Sequence, residues 1–154
     1  MALADLLHQD AIIPGLKANS KKQLLQELAA KASKLTGLPE REIFDVILQR
    51  ERLGSTGVGN GIAIPHGKLA DIKTIIGIFA RLDSAVDFEA LDDQPVDLVF
   101  LLLAPEGAGA DHLKALSRIA RVLRDQDLVA KLRATESASA IYSFLNEEQA
   151  SNAA

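Results

Sequence analysis

The chain contains no cysteine, which excludes disulfides, thiolate chemistry and cysteine-ligated zinc. That composition fits a reducing compartment, so the cytoplasm is the expected location. Positive charge is not in excess: 17 Lys and Arg stand against 21 Asp and Glu, a formal net charge of −4, with the basic residues scattered. The electrostatic footprint of a nucleic-acid binder is missing, and folded proteins or a small anionic group are the better partners. Long apolar runs are missing too. The longest, Val96 to Pro105, is broken by Asp97 and is about half the ~20 residues a helix needs to cross a bilayer, so it reads as a buried strand and no membrane insertion is expected. The opening stretch carries Asp5, His8 and Asp10 without a basic n-region or a long apolar h-region, and does not read as a signal peptide.

Nucleotide and metal motifs fail as well. Gly57, Gly59 and Gly61 have GxGxG spacing and lead into a strand, unlike the GxGxxG turn that opens a helix over a dinucleotide. Lys68, after Gly67, is followed by Leu69 where a P-loop needs Ser or Thr. Three widely separated histidines without an HExxH pairing give weak support for zinc. Asp83, Asp87, Glu89, Asp92 and Asp93 lack the order and central glycine of a calcium loop. No cofactor and no bound metal are expected.

What is present suits one compact domain. At 154 residues, 48% hydrophobic and 25% charged, the chain can bury a core without staples, as a single domain over 1–154 with its core at about residues 5–146. Asn19 or Ser20 caps a helix over Lys21 to Leu35 with Leu24, Leu25, Leu28 and Leu35 on one side, and Gly37 stops it. Pro39 suits the first turn of a second helix, whose stripe is Ile43, Phe44, Ile47 and Leu48 and whose end is near Leu53. The run Gly54 to Gly61 has four glycines in eight positions and reads as a tight loop before a short strand, Ile62 to Ile64. Strands are predicted over Thr74 to Leu82 and Val96 to Leu103, joined by an acidic turn. After PEGAGA a helix starts near Ala110 or Asp111 with a stripe of Leu113, Leu116, Ile119, Ala120 and Leu123. Two short helices, Leu128 to Leu132 and Ala138 to Leu145, and a frayed tail complete the chain. Helices, then strands, then helices point to an α/β or α+β domain with a central sheet covered by helices.

The three histidines have different settings. His8 lies in a polar N-terminal stretch and is assigned no role, His66 sits in IAIPHGK, and His112 opens a helix. Imidazole is partly neutral near pH 7 and can act as a nucleophile without further activation, which suits reversible acceptance of a phosphoryl group. Pro65 restricts the backbone before His66, and Gly67 leaves room for a bulky donor to approach from that side. Arg50, just before the glycine-rich loop, could neutralise phosphoryl oxygens at the same spot. His112 in a first helical turn could hydrogen-bond the same group. Each has an ordinary reading beside this one: a surface histidine in a turn, a solvated helix-end arginine, a polar helix start.

The stretch Arg50 to Lys68, RERLGSTGVGNGIAIPHGK, together with LDDQPVDLVFLLLAPEGAGADHLKALSRIARVLRD from Leu91 to Asp125, resembles the enzyme IIA domains of the bacterial phosphoenolpyruvate phosphotransferase system, mannitol/fructose class. The opening segment LLHQDAIIPGLKANSKKQLLQELAAKA is similar to N-termini of the nitrogen-regulatory branch, and no IIB domain follows Leu145. The resemblance implies an α/β single-domain sandwich, a mixed central β-sheet flanked by helices on both faces. It implies that His66 is phosphorylated at Nε2 by a histidine-containing phosphocarrier protein of the nitrogen branch, fed by enzyme I and phosphoenolpyruvate. His112 then matches the supporting histidine and Arg50 the arginine that stabilises phosphoryl charge. Regulated partners implied are potassium transporters or sensor kinases; the alternative is a sugar-specific relay to a IIB domain.

Overall fold

The computed structural model describes residues 3–153. In chain order it contains α1 (Leu3–Leu6), a 3-10 turn (Gln9–Ala11), β1 (Ile12–Leu16), α2 (Lys21–Thr36), α3 (Glu40–Arg52), β2 (Gly57–Gly59), β3 (Ile62–Ala63) and β4 (His66–Leu69). Then follow β5 (Ile76–Val86), β6 (Val96–Pro105), α4 (Ala110–Val122), α5 (Gln126–Ala134) and α6 (Ala138–Ala153). Among the described residues no helix is long and apolar enough to cross a membrane.

Local chemistry explains the helix ends. Of the two capping candidates Ser20 serves: its Oγ accepts the Gln23 N–H at 3.1 Å. Gly37 ends α2 in the left-handed region at φ 78°, as a glycine after a helix should. Pro39 stands one place before α3 as its extended N-cap, not inside the first turn. Asp125 caps α5 by accepting from Asp127 and Leu128 N–H groups.

The strands form one mixed sheet of six, ordered β1-β5-β6-β3-β2, with β4 also on β6. β6 is its centre, antiparallel to β5 and parallel to β3 and β4, and Leu98 to Ala104 are buried without alternation because both faces are covered. β3 and β4 lie end to end on one edge of β6: Ile62 pairs with Leu98, and His66 with Leu102. Between them Pro65 has no N–H for the ladder, yet its carbonyl accepts from Leu102 N at 3.0 Å, which keeps the chain on β6. His66 therefore begins a new strand.

The register sorts side chains to the two faces. His66, Leu102 and Gly77 share one face, and a Cβ on Gly77 would lie 3.1 Å from the Leu6 carbonyl, which puts the face under α1. Gly67, Leu103 and Ile76 share the other, which at Gly67 lies under α3. A Cβ on Gly67 would come within 2.5 Å of Val46 Cγ1 on α3, so this glycine is required for the helix to pack on β4. The space that a Cβ would fill is thus taken by Val46, while Gly67 itself borders the same cleft as His66.

Further differences have physical causes. β1 contains Pro14 and Gly15, poor strand residues that an edge strand tolerates, and its pairing with β5 is set by tertiary contact. β2 forms inside the glycine-rich run because Gly57 passes against Ala90, where an added Cβ would sit 2.7 Å from the alanine Cβ. β5 continues through an irregularity after Arg81 to Val86. On α4 the buried face is His112, Ala115, Ile119 and Val122, while Leu113 is 68% exposed, so the stripe is rotated from the predicted one. α6 is helical to Ala153, past the point where a frayed tail is predicted.

Candidate functional site

The three residues singled out in the sequence arrive from three elements. His66 comes from the start of β4, Arg50 from the last turn of α3 and His112 from the first turn of α4. The Ile64 carbonyl lies 3.0 Å from His66 Nδ1. A carbonyl can only accept, so this partner assigns the proton to Nδ1 and leaves the Nε2 lone pair available. Arg50 Nε donates to that atom at 3.2 Å, and Arg50 Nη1 donates to the Gly54 carbonyl at 2.9 Å. Burial lowers the His66 pKa below the usual 6.5; the Arg50 charge acts the same way, while the Ile64 bond and Glu51 oppose it.

His112 faces His66 edge-on, with ring centroids 5.5 Å apart and planes at 70°. It is only 7% exposed, and its Nε2 is buried with no protein hydrogen-bond partner among the described residues. Burial again lowers its pKa, helped by the charges of His66 and Lys68. A buried polar atom without a protein partner is destabilising by about 1–3 kcal/mol, so this nitrogen is a group poised for a ligand. His8, by contrast, is exposed beside the 3-10 turn.

Arg50, His66 and His112 border a cleft of about 570 Å³, with Arg52, Lys68 and Leu53 on its walls and no Asp or Glu among its lining residues. In a chain of net charge −4 this is a local cationic field, suited to an anion. A larger cleft of about 970 Å³ runs between β2–β3 and α4–α5, but it contains no histidine. The smaller cleft is where His66, His112 and the cationic side chains meet.

One polar group in this region escaped the sequence reading. Glu51 follows Arg50 and is 6% exposed, accepting from Thr56 N at 3.1 Å, from Thr56 Oγ1 and from Lys21 Nζ at 3.0 Å. Its signal was available: residues 43, 47 and 51 fall at helical spacing, so the carboxylate continues the buried stripe of Ile43 and Ile47.

A histidine whose unprotonated ring nitrogen meets an arginine, set in a cationic cleft on a mixed α/β sandwich, points to a domain of the phosphotransferase-system IIA type. The chain belongs to the family of the phosphoenolpyruvate-dependent sugar phosphotransferase system, EIIA 2, which it matches over residues 5–148. It is 68% identical to a nitrogen regulatory protein of Bradyrhizobium diazoefficiens, over 94% of this chain and 95% of that protein. The crystal structure of nitrogen regulatory protein IIA-Ntr from Neisseria meningitidis superposes with a TM-score of 0.88 at 35% identity, covering 93% of this chain and 98% of that one. IIA mannitol from Escherichia coli follows at a TM-score of 0.76 and 25% identity, covering 90% and 97%.

Proposed function

We propose that this protein is a nitrogen-regulatory enzyme IIA of the cytoplasm, which accepts a phosphoryl group on His66 Nε2 from a histidine-containing phosphocarrier protein and regulates partners according to its phosphorylation state. The observation that carries the reading is the His66 ring: Nδ1 is tied to Ile64, and Nε2 faces the cationic cleft beside Arg50 and His112. In the transfer, the Nε2 lone pair forms the new P–N bond as the carrier's own P–N bond breaks, and the carrier's ring keeps that electron pair. The Nδ1 proton stays on His66, held by the Ile64 carbonyl. Arg50 gives up its bond to Nε2 and donates to the phosphoryl oxygens, with His112 as a second donor. Such a loose transition state needs alignment and charge stabilisation more than covalent help.

Phosphorylation adds about −1.5 to −2 of charge at neutral pH. Most of the positive charge of Arg50, Arg52 and Lys68 around the cleft is then neutralised, and partners sensitive to that field can tell the two states apart. Potassium transporters and sensor kinases are proposed as such partners. Likeness to IIA mannitol supports a second reading, a sugar-specific relay, in which a IIB domain drains the phosphoryl group.

Intact-mass spectrometry after incubation with phosphoenolpyruvate, enzyme I and the cognate carrier tests the proposal. One acid-labile phosphoryl adduct in the wild type, absent in His66→Ala, is the expected result. No adduct from a carrier that loads a control IIA would refute it, and rapid loss of the adduct to a IIB domain would select the relay.

A further inference from the structure

The carboxylate of Glu51 is the most buried acidic group near the cleft, and phosphoryl transfer as described does not use it. We propose that Glu51 is a positioning residue for transfer at His66: it fixes the turn that braces Arg50, and so sets where the guanidinium sits over Nε2. The proposal rests on the reading of His66 as phosphoryl acceptor.

Three donors converge on this carboxylate from two segments. Thr56 supplies its backbone N–H and its hydroxyl, and Lys21 supplies its ammonium from the first turn of α2. Lys21 also stands 4.5 Å over the Phe88 ring, and Ser55 Oγ donates to the Phe88 carbonyl at 3.0 Å. Glu51 thus ties the end of α3, the turn after it and the start of α2 into one unit. Charge at this depth is tolerated only when fully partnered, and an apolar residue would be the ordinary choice after Ile43 and Ile47 on the same stripe.

That unit is where Arg50 finds its second anchor. Among the described residues, the guanidinium donates to His66 Nε2 and to the Gly54 carbonyl. Gly54 lies between Glu51 and Thr56 and takes φ 153°; the backbone bonds holding it are Gly54 N to Glu51 O at 3.1 Å and Leu53 N to Arg50 O at 3.2 Å. Without the carboxylate-to-Thr56 contacts, the turn is still held downstream by Ser55 Oγ on the Phe88 carbonyl and by Ile64 N–H on the Thr56 carbonyl at 3.0 Å, but its side-chain tie back to α3 is gone, and the Gly54 carbonyl can shift relative to the helix with Arg50 attached. A donor displaced by an ångström from developing charge is a weaker donor. Glu51 is buried and is not among the residues lining the cleft, so a carrier docked there does not meet it directly.

The test is transfer from the phosphorylated carrier at a range of carrier concentrations, to wild type, Glu51→Gln, Thr56→Val, Arg50→Ala and the Glu51→Gln/Arg50→Ala double variant. Glu51→Gln should lower the maximal rate by roughly 10- to 100-fold. The half-saturating carrier concentration should stay within about twofold, since the carrier does not meet Glu51 directly. In the Arg50→Ala background the same substitution should have no further effect, because the residue it positions is gone. Thr56→Val, which leaves the carboxylate in place, should slow transfer in the same manner and decides the matter if Glu51→Gln does not fold. Wild-type rates in both Glu51→Gln and Thr56→Val, or a Glu51→Gln loss that multiplies with that of Arg50→Ala, would overturn the proposal. A wild type that accepts no phosphoryl group would instead overturn the reading of His66 itself.

Discussion

His66 depends on where one proton sits. The Ile64 carbonyl claims Nδ1–H, burial keeps the ring neutral, and the Arg50 charge lowers its proton affinity further. An NMR titration of the His66 ring should therefore find its midpoint below 6.5. Arg50→Ala removes a cation that disfavours the protonated ring, so the midpoint should move up; a midpoint that moves down would contradict the arrangement. The same substitution should reduce the phosphoryl-transfer rate on the order of a hundredfold, as loss of one well-placed donor does. His112→Ala should fold and transfer more slowly, and full-speed transfer would remove His112 from the site.

The packing of α3 on β4 carries Arg50 to the cleft. Gly67 is the contact point, because a Cβ there would meet Val46 Cγ1 at 2.5 Å. Valine on a helix is nearly confined to one rotamer, so Val46 cannot swing aside and the helix must shift instead. Gly67→Ala is expected to destabilise by about 1–3 kcal/mol, read as a lower urea midpoint at unchanged slope. It should also slow transfer, since Arg50 lies one turn beyond Val46 on the shifted helix. Adding Val46→Ala should restore much of both losses; no recovery would mean that the strain lies elsewhere. Glu51 works in the same element, as a charge inside a stripe that is otherwise apolar.

Across the molecule, the two site histidines couple folding to pH. Both have folded pKa values below 6.5, so on acidification the unfolded chain binds protons first. Their contribution to stability is complete above that value, declines as pH falls below it, and levels off once the folded rings are protonated. Urea unfolding at about pH 7.5 and about pH 5.5 should show the lower stability at the lower pH, and the His66→Ala/His112→Ala variant should show less of that difference. The carboxylate with a lowered pKa, Asp92, loses its contribution only below 3.8, outside this window. Equal pH dependence in wild type and double variant would place the titrating groups elsewhere.

Much of this architecture was legible along the chain. The caps at Ser20 and Gly37, the helical stripe of Ile43 and Ile47 and the apolar run Leu98 to Ala104 of β6 are local or periodic signals that mark their elements in the sequence. The motif around His66 and the resemblance it carries marked the three residues that meet at the cleft. Other features depended on segments distant in the sequence. β1 and β2 are strands because a neighbour offers its edge, despite Pro14 and the glycines. The inward face of α4 turns on His112 because that ring packs beside His66. Glu51 is buried because Lys21 and Thr56 reach it from outside the helix. Propensity and periodicity act within a few residues, whereas pairing, burial and the partnering of a charge are settled by whatever the fold brings alongside.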